Sequence, residues 1–291
     1  MTLISVLIAL LLERFLGSLD DWRRFGWFDR YSAWLRERFG HRAFMSGPAG
    51  VLLVLAGPVL VVVLAVLLLH GAWLGLLELA FGVVVLLYAL GPRDLDDEVQ
   101  GYVEAGAMND VERQRHHAAA LLDGEVPEDD VERTRSLAQG VFVQANARLF
   151  AVLFWFVVLG PVGAALYRLG ALACRGEADE FRGTAQRLVG LLDWIPVRLT
   201  ALGYALVGGF EPALRALRRH FLSDLQTLPG SNRSLLVEAG SESLGLERML
   251  EDAREDGGLD EIVNTAGNLV LRTLVVFVTV LALLTLGGWT S

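Results

Sequence analysis

Residues 49–90 read AGVLLVLAGPVLVVVLAVLLLHGAWLGLLELAFGVVVLLYAL, with Glu78 as the one acid and His70 as the one histidine. A hydrocarbon core about 30 Å thick takes about 20 apolar residues in a helix. The stretch is therefore long enough for two passages, 49–69 and 71–90, joined at His70-Gly71. Gly57-Pro58 lies inside the first, where proline removes a helix hydrogen bond and predicts a kink. Its reading is a transmembrane helical hairpin.

The rest of the chain agrees. Of 291 residues 54% are hydrophobic, with 31 glycines besides, and mean hydropathy is +0.47. Charged residues make up 20%, below the ~25% of a soluble chain, and they cluster between long uncharged runs. All 25 basic residues are arginine. Without lysine there is no Schiff base to a carbonyl or to pyridoxal phosphate, and no GxxxxGK[ST] phosphate loop. Cys174 is the only cysteine, so no intramolecular disulfide or multi-cysteine zinc site forms. The histidines His41, His70, His116, His117 and His220 follow no familiar ligand spacing. A net charge of −9 argues against a nucleic-acid partner.

Further membrane segments follow. Leu149 to Tyr167 is uncharged and is broken by Gly160-Pro161, where the chain either kinks or turns back. Residues 188–209 are apolar except for Asp193 and Arg198, and the tail after Arg272 is uncharged. The N-terminal MTLISVLIALLLERF is short for a span and crosses only if Glu13 and Arg14 pair or snorkel. That gives five or six spans. Seven arginines from Arg14 to Arg42 mark that loop as cytoplasmic.

The expected organisation is an N-terminal apolar segment with an Arg-rich cytoplasmic loop (1–48), then the transmembrane hairpin (49–90). An acidic cytoplasmic helical region (91–148) and a pair of membrane segments (149–209) follow. A second cytoplasmic helical region (210–268) leads to a C-terminal transmembrane helix (269–291). The predicted fold class is all-α: a polytopic, multi-pass helical membrane protein with kinked or broken helices, with the bilayer as its first partner.

Asp193 and Arg198 stand out because charges at membrane depth cost a few kcal/mol each and usually face a partner or a watery cavity. Pro196 between them predicts a broken helix with a polar site beside it. Asn146 and Arg148 open the third apolar run and Arg168 ends it, where arginines also serve as interface anchors. Glu78 is a candidate buried carboxylate. The acidic stretches 94–98 and 128–130 can recruit Mg²⁺, although such runs are usually solvated. Arg215, Arg218 and Arg219 suit one face of a helix resting on anionic lipid.

The segment LLDWIPVRLTALGYALVG (191–208) resembles the D-W-[IV]-P-[VA]-R-L signature shared by AmpE proteins and the CbiB/CobD membrane proteins of cobalamin biosynthesis. LFWFVVLGPVGAALYRLG (153–170) is similar to the L-F-W…G-P-x-G-A-x-x-Y-R stretch of the same superfamily. SNRSLLVEAGSESLGL (231–246), with Glu238, is a weaker echo of an N-x-G-x-P-E…G segment, and the N-terminus looks like the start of AmpE proteins. For CbiB proteins the resemblance implies an ATP- and Mg²⁺-dependent amide synthesis, that of adenosylcobinamide-phosphate synthase. The chain departs from it where acids are needed. GVFVQANARLFAV (140–152) has no carboxylate, and Cys174 takes the place of an aspartate after Tyr167-Arg168. These losses argue against synthase activity.

The spacing of Asn146 and Arg148 before L-F-W instead looks like AmpE. That resemblance implies an inner-membrane signalling modulator linked to β-lactamase induction, to an AmpD-type amidase and to muropeptides of peptidoglycan recycling. Two functions are expected from this. One is a modulator binding a small anionic ligand through Arg198 and Asp193, with Arg148, Arg168, Asn146 and Glu238 as contributors. The other is an ATP- and Mg²⁺-dependent amide-forming ligase, for which Asp94, Asp193 and Glu238 are the acids.

Overall fold

The computed structural model describes residues 2–16, 25–39, 47–70, 75–90, 95–122, 125–175, 180–220, 228, 230–256 and 258–287. They are helical almost throughout, with no strand among them. Among the described residues, four helical stretches are long and apolar enough to cross a membrane: Pro48–Leu69, Asp130–Ala173, Glu180–Val207 and Leu259–Leu286. Two shorter apolar helices, Thr2–Glu13 and Leu76–Ala89, accompany them. The protein is an all-α polytopic membrane protein.

The chain divides into two units, 1–92 with 151–193 and 284–291, and 93–150 with 194–283. The first contains α1 (Thr2–Leu16), α2 (Gly26–Phe39), α3 (Pro48–Leu69), α4 (Leu76–Ala89), α8 (Ala151–Ala173) and the first half of α9 (Glu180–Val207). Proline in the first turn starts α3, where a missing N–H costs nothing. This helix reproduces the first passage expected from the sequence and stays helical through Pro58. Its Leu60, Leu67 and Leu68 are exposed, as suits a lipid-facing surface. Glu78 is not buried; it pairs with His70 at 3.5 Å. Gly71, at the expected joint, lies outside the described residues.

Within α8, Gly160 has φ 64 and ψ −152, a region essentially reserved for glycine. The chain reverses there. A methyl group on Gly163 would overlap the carbonyl oxygen of Trp155, eight positions back, which a straight helix would leave far beyond contact. Of the two readings of Gly160-Pro161, the turn back is the one observed.

The second unit is built from α5 (Leu95–Ala107), α6 (Val111–Leu121), α7 (Asp130–Ala145), a π turn (Asn146–Phe150), and the second half of α9. It also holds α10 (Phe210–His220), α11 (Gly230–Leu244), α12 (Leu246–Asp256) and α13 (Leu259–Leu286) up to residue 283. Asp110 caps α6 by accepting from the Arg113 amide at 3.0 Å, and Asp129 caps α7 through the Glu132 amide at 2.8 Å. The core gathers Val99, Tyr102, Leu137, Phe142, Tyr204 and Val263. Helix α10 buries Ala213, Ala216 and Leu217, while Arg215 pairs with Glu211 and Arg219 with Glu238.

Candidate functional site

The Asp193–Leu199 signature lies on α9, which runs unbroken from Glu180 to Val207. The broken helix expected at Pro196 is therefore absent, and the structure gives the reason. Proline has no N–H to offer the carbonyl four residues earlier, that of Leu192. The indole Nε1 of Trp155 donates to that carbonyl at 3.1 Å. One residue along, the Tyr167 hydroxyl donates to Asp193 Oδ1 at 2.8 Å. The reversal at Gly160 is what lets Trp155 and Tyr167, on opposite arms of α8, reach consecutive residues of α9.

Arg198 is 7% exposed. Its Nη1 donates to the Trp194 carbonyl at 2.7 Å, and its guanidinium carbon stands 4.1 Å from the centroid of the Trp194 ring. The two residues are one helical turn apart, the spacing that stacks side chains along one helix face. Stacking a cation on tryptophan contributes about 0.5–2 kcal/mol, more as water is excluded. Asp193 and Arg198 thus engage different partners, the first Tyr167 and the second Trp194.

Two more of the candidate residues lie on the π turn. Such turns widen a helix locally and recur at functional positions. Asn146, 2% exposed, accepts from the Thr200 hydroxyl at 3.1 Å, two positions along α9 from Arg198. Arg148 donates to Gln144 Oε1 at 3.0 Å and to the Ala120 carbonyl at 2.9 Å. Tyr204, also on α9, donates to the Phe142 carbonyl at 3.1 Å. Asn146, Arg148, Arg198 and Thr200 therefore all belong to the second unit, two from the π turn and two from α9. The Asn146–Thr200 bond joins the π turn to α9, while the Arg148 guanidinium engages Gln144 and the Ala120 carbonyl and that of Arg198 engages Trp194.

The remaining candidates fall elsewhere. Arg168 belongs to the first unit, its guanidinium carbon 5.1 Å from the Phe25 ring centroid. Glu238 on α11 is held by Arg219. Asp94 lies outside the described residues. Among the described residues, no three His, Cys, Asp or Glu side chains gather as metal ligands.

Two features of the second unit carried no clear sequence signal. Glu98, 4% exposed, meets His117 Nδ1 at 2.7 Å, joining α5 to α6. A cavity of about 350 Å³ lies nearby, lined by Tyr102, Gln114, Arg115, Glu128 and Arg133 among others. Its charges are largely satisfied internally, since Arg133 binds Asp130 and the Glu128 carbonyl, and Gln114 donates to Asp260 at 3.1 Å. Burial pushes the Tyr102 phenol up to about 12.

Helix after helix of apolar residues, with the few motif charges held against tryptophan and tyrosine, defines a polytopic helical membrane protein. Residues 1–290 match the family described as regulatory signalling modulator protein AmpE. The chain belongs to the AmpE family. It is 30% identical over 250 residues to the cobalamin biosynthesis protein CobD of Chromobacterium violaceum, covering 82% of this chain and 78% of that one. It is 28% identical to the protein AmpE of Shigella flexneri over 99% of both chains. A CobD of Stutzerimonas stutzeri is 32% identical over 56% of this chain and 55% of its own. No solved structure matches.

Proposed function

We propose that this chain is an AmpE-like regulatory modulator of the bacterial inner membrane, responding to a small anionic ligand in the pathway of peptidoglycan recycling and β-lactamase induction. The observation that carries this reading is the match of the whole chain to a family of signalling modulators. The ligand site is formed by Arg148 and Arg198 with Asn146 and Thr200, and a muropeptide carboxylate supplies the complementary charge. An AmpD-type amidase is the partner whose activity the protein adjusts.

Thermal unfolding of the detergent-purified protein during titration with muropeptides tests the reading, because a ligand of the folded state raises apparent stability once its concentration exceeds Kd. A saturable upward shift is expected, absent in Arg198→Ala although that variant still inserts. An equal shift in the variant removes Arg198 from the site, and no shift at all removes the muropeptide. The CobD relatives favour a second reading, an ATP- and Mg²⁺-dependent amide-forming ligase. Titration with Mg²⁺-ATP, with Mg²⁺ alone as control, separates it from the first.

A further inference from the structure

The cavity of about 350 Å³ in the second unit has the size of a small-molecule site, and Ala118, Val126 and Pro127 give it an apolar wall. Its polar lining sorts by what already holds it. Arg133 is bound to Asp130 and to the Glu128 carbonyl, and Gln114 donates to Asp260 at 3.1 Å. The Arg115 guanidinium and the Glu128 carboxylate are left over, with no hydrogen-bond or ion-pair partner among the described residues. Both residues are exposed, which puts them where the cavity meets solvent. Tyr102 is the inner counterpart. It is 1% exposed, and its hydroxyl, near Arg133 and Asp260, makes no well-formed hydrogen bond to either. Burial holds that phenol up at about 12, so at neutral pH it keeps a hydrogen to donate.

A buried hydroxyl in a native structure nearly always has a partner, and the bond missing here is one that a ligand oxygen can make. The free charges at the mouth set the rest of the ligand's chemistry, because their signs are opposite. A simple anion brought to Arg115 also meets Glu128 and Asp130, and a simple cation brought to Glu128 also meets Arg115. Each carries a like-charge penalty. A molecule with a carboxylate at one end and an ammonium at the other answers both, and the guanidinium fork matches the carboxylate. We propose that this cavity binds a short peptide with free termini, its carboxylate on Arg115, its ammonium on Glu128 and a backbone carbonyl on the Tyr102 hydroxyl. The proposal uses neither Arg148 nor Arg198, so it stands apart from the ligand site proposed above.

Thermal unfolding of the detergent-purified full chain during titration with trialanine tests it. Wild type shows a saturable upward shift. N-acetyl-trialanine and trialanine amide each lack one terminal charge and bind about tenfold more weakly, the difference of one charge-assisted contact. In Arg115→Gln the amide binds as well as the free peptide, and in Glu128→Gln the acetylated peptide does. Both side chains are exposed, so these variants keep the fold. Tyr102→Phe weakens all three peptides alike. No saturable shift with trialanine up to tens of millimolar overturns the proposal, as does discrimination among the peptides that persists in both charge variants. Binding that is lost in Arg198→Ala yet unchanged in Arg115→Gln and Glu128→Gln also overturns it, by placing the peptide at the other site.

Discussion

The indole of Trp155 donates its hydrogen to the carbonyl of Leu192, the acceptor that Pro196 leaves without a helical partner. A residue of the L-F-W stretch thereby repairs the helix that carries the D-W-I-P-V-R-L stretch, and two sequence motifs become one structural device. Trp155→Phe keeps the ring and removes the donor, and is expected to cost about 1–3 kcal/mol, the penalty of an unsatisfied buried carbonyl. In a Pro196→Ala background the amide returns and the same substitution costs much less. A double-mutant cycle on unfolding in detergent measures the coupling, and simple additivity would refute the assignment.

Tyr167 and Asp193 are separable by chemistry. Tyr167→Phe removes a hydrogen bond to a carboxylate, worth about 1.5–3 kcal/mol. Asp193→Asn keeps an oxygen to accept from the phenol and should cost less than about 1 kcal/mol. Equal losses in the two variants, compared by melting temperature, would show that the carboxylate charge itself holds the fold.

Gly160 and Gly163 are required for different reasons. Alanine at Gly160 is forced into a conformation costing about 1–3 kcal/mol. At Gly163 it meets the Trp155 backbone, which cannot withdraw without opening the turn. Both substitutions should lower yield and melting temperature. In Gly163→Ala the fluorescence of Trp155 should also change, because its bond to Leu192 depends on the closed arms.

Removing the imidazole of His117 takes a hydrogen-bond partner from the buried Glu98 carboxylate, a loss of about 1.5–3 kcal/mol for a bond to a charged group. Replacing both residues with leucine should recover most of it. Chemical unfolding of His117→Ala against the double variant gives the comparison.

The Tyr102 phenol has a folded value near 12 against 10.0 ordinarily, chiefly through burial. A group whose folded pKa is raised stabilises the fold below its unfolded pKa and loses that contribution as pH climbs through the folded one. Stability should therefore fall between pH 10 and 12 more steeply in wild type than in Tyr102→Phe, followed by circular dichroism.

Periodicity and length made the membrane segments legible. Helix α3 begins one residue from its expected start, because nothing but apolar side chains occupies it. Helix α13 starts at Leu259, ten residues before the expected 269, because its first turns bury Ile262, Val263 and Ala266 on one face while Asp260 and Glu261 depress the average hydropathy. The motif charges were legible as residues that need partners, but not which partners. Pro196 predicts a break only until a donor from another helix is found, and no spacing in a single sequence places Trp155 against Leu192. The Glu98–His117 pair was hidden for the same reason, its members lying on separate helices.

The turn at Gly160 bears on how crossings are tallied. Nine residues from Ala151 to Leu159 advance about 14 Å along a helix, roughly half the hydrocarbon thickness, before the chain heads home. A segment folded back on itself in this way is expected to change no parity, with Ala151 and Ala173 on the same face. Scoring every greasy run as one traversal would then shift the sidedness of everything downstream by one step, and topology reporters placed just before and just after α8 are expected to read the same side.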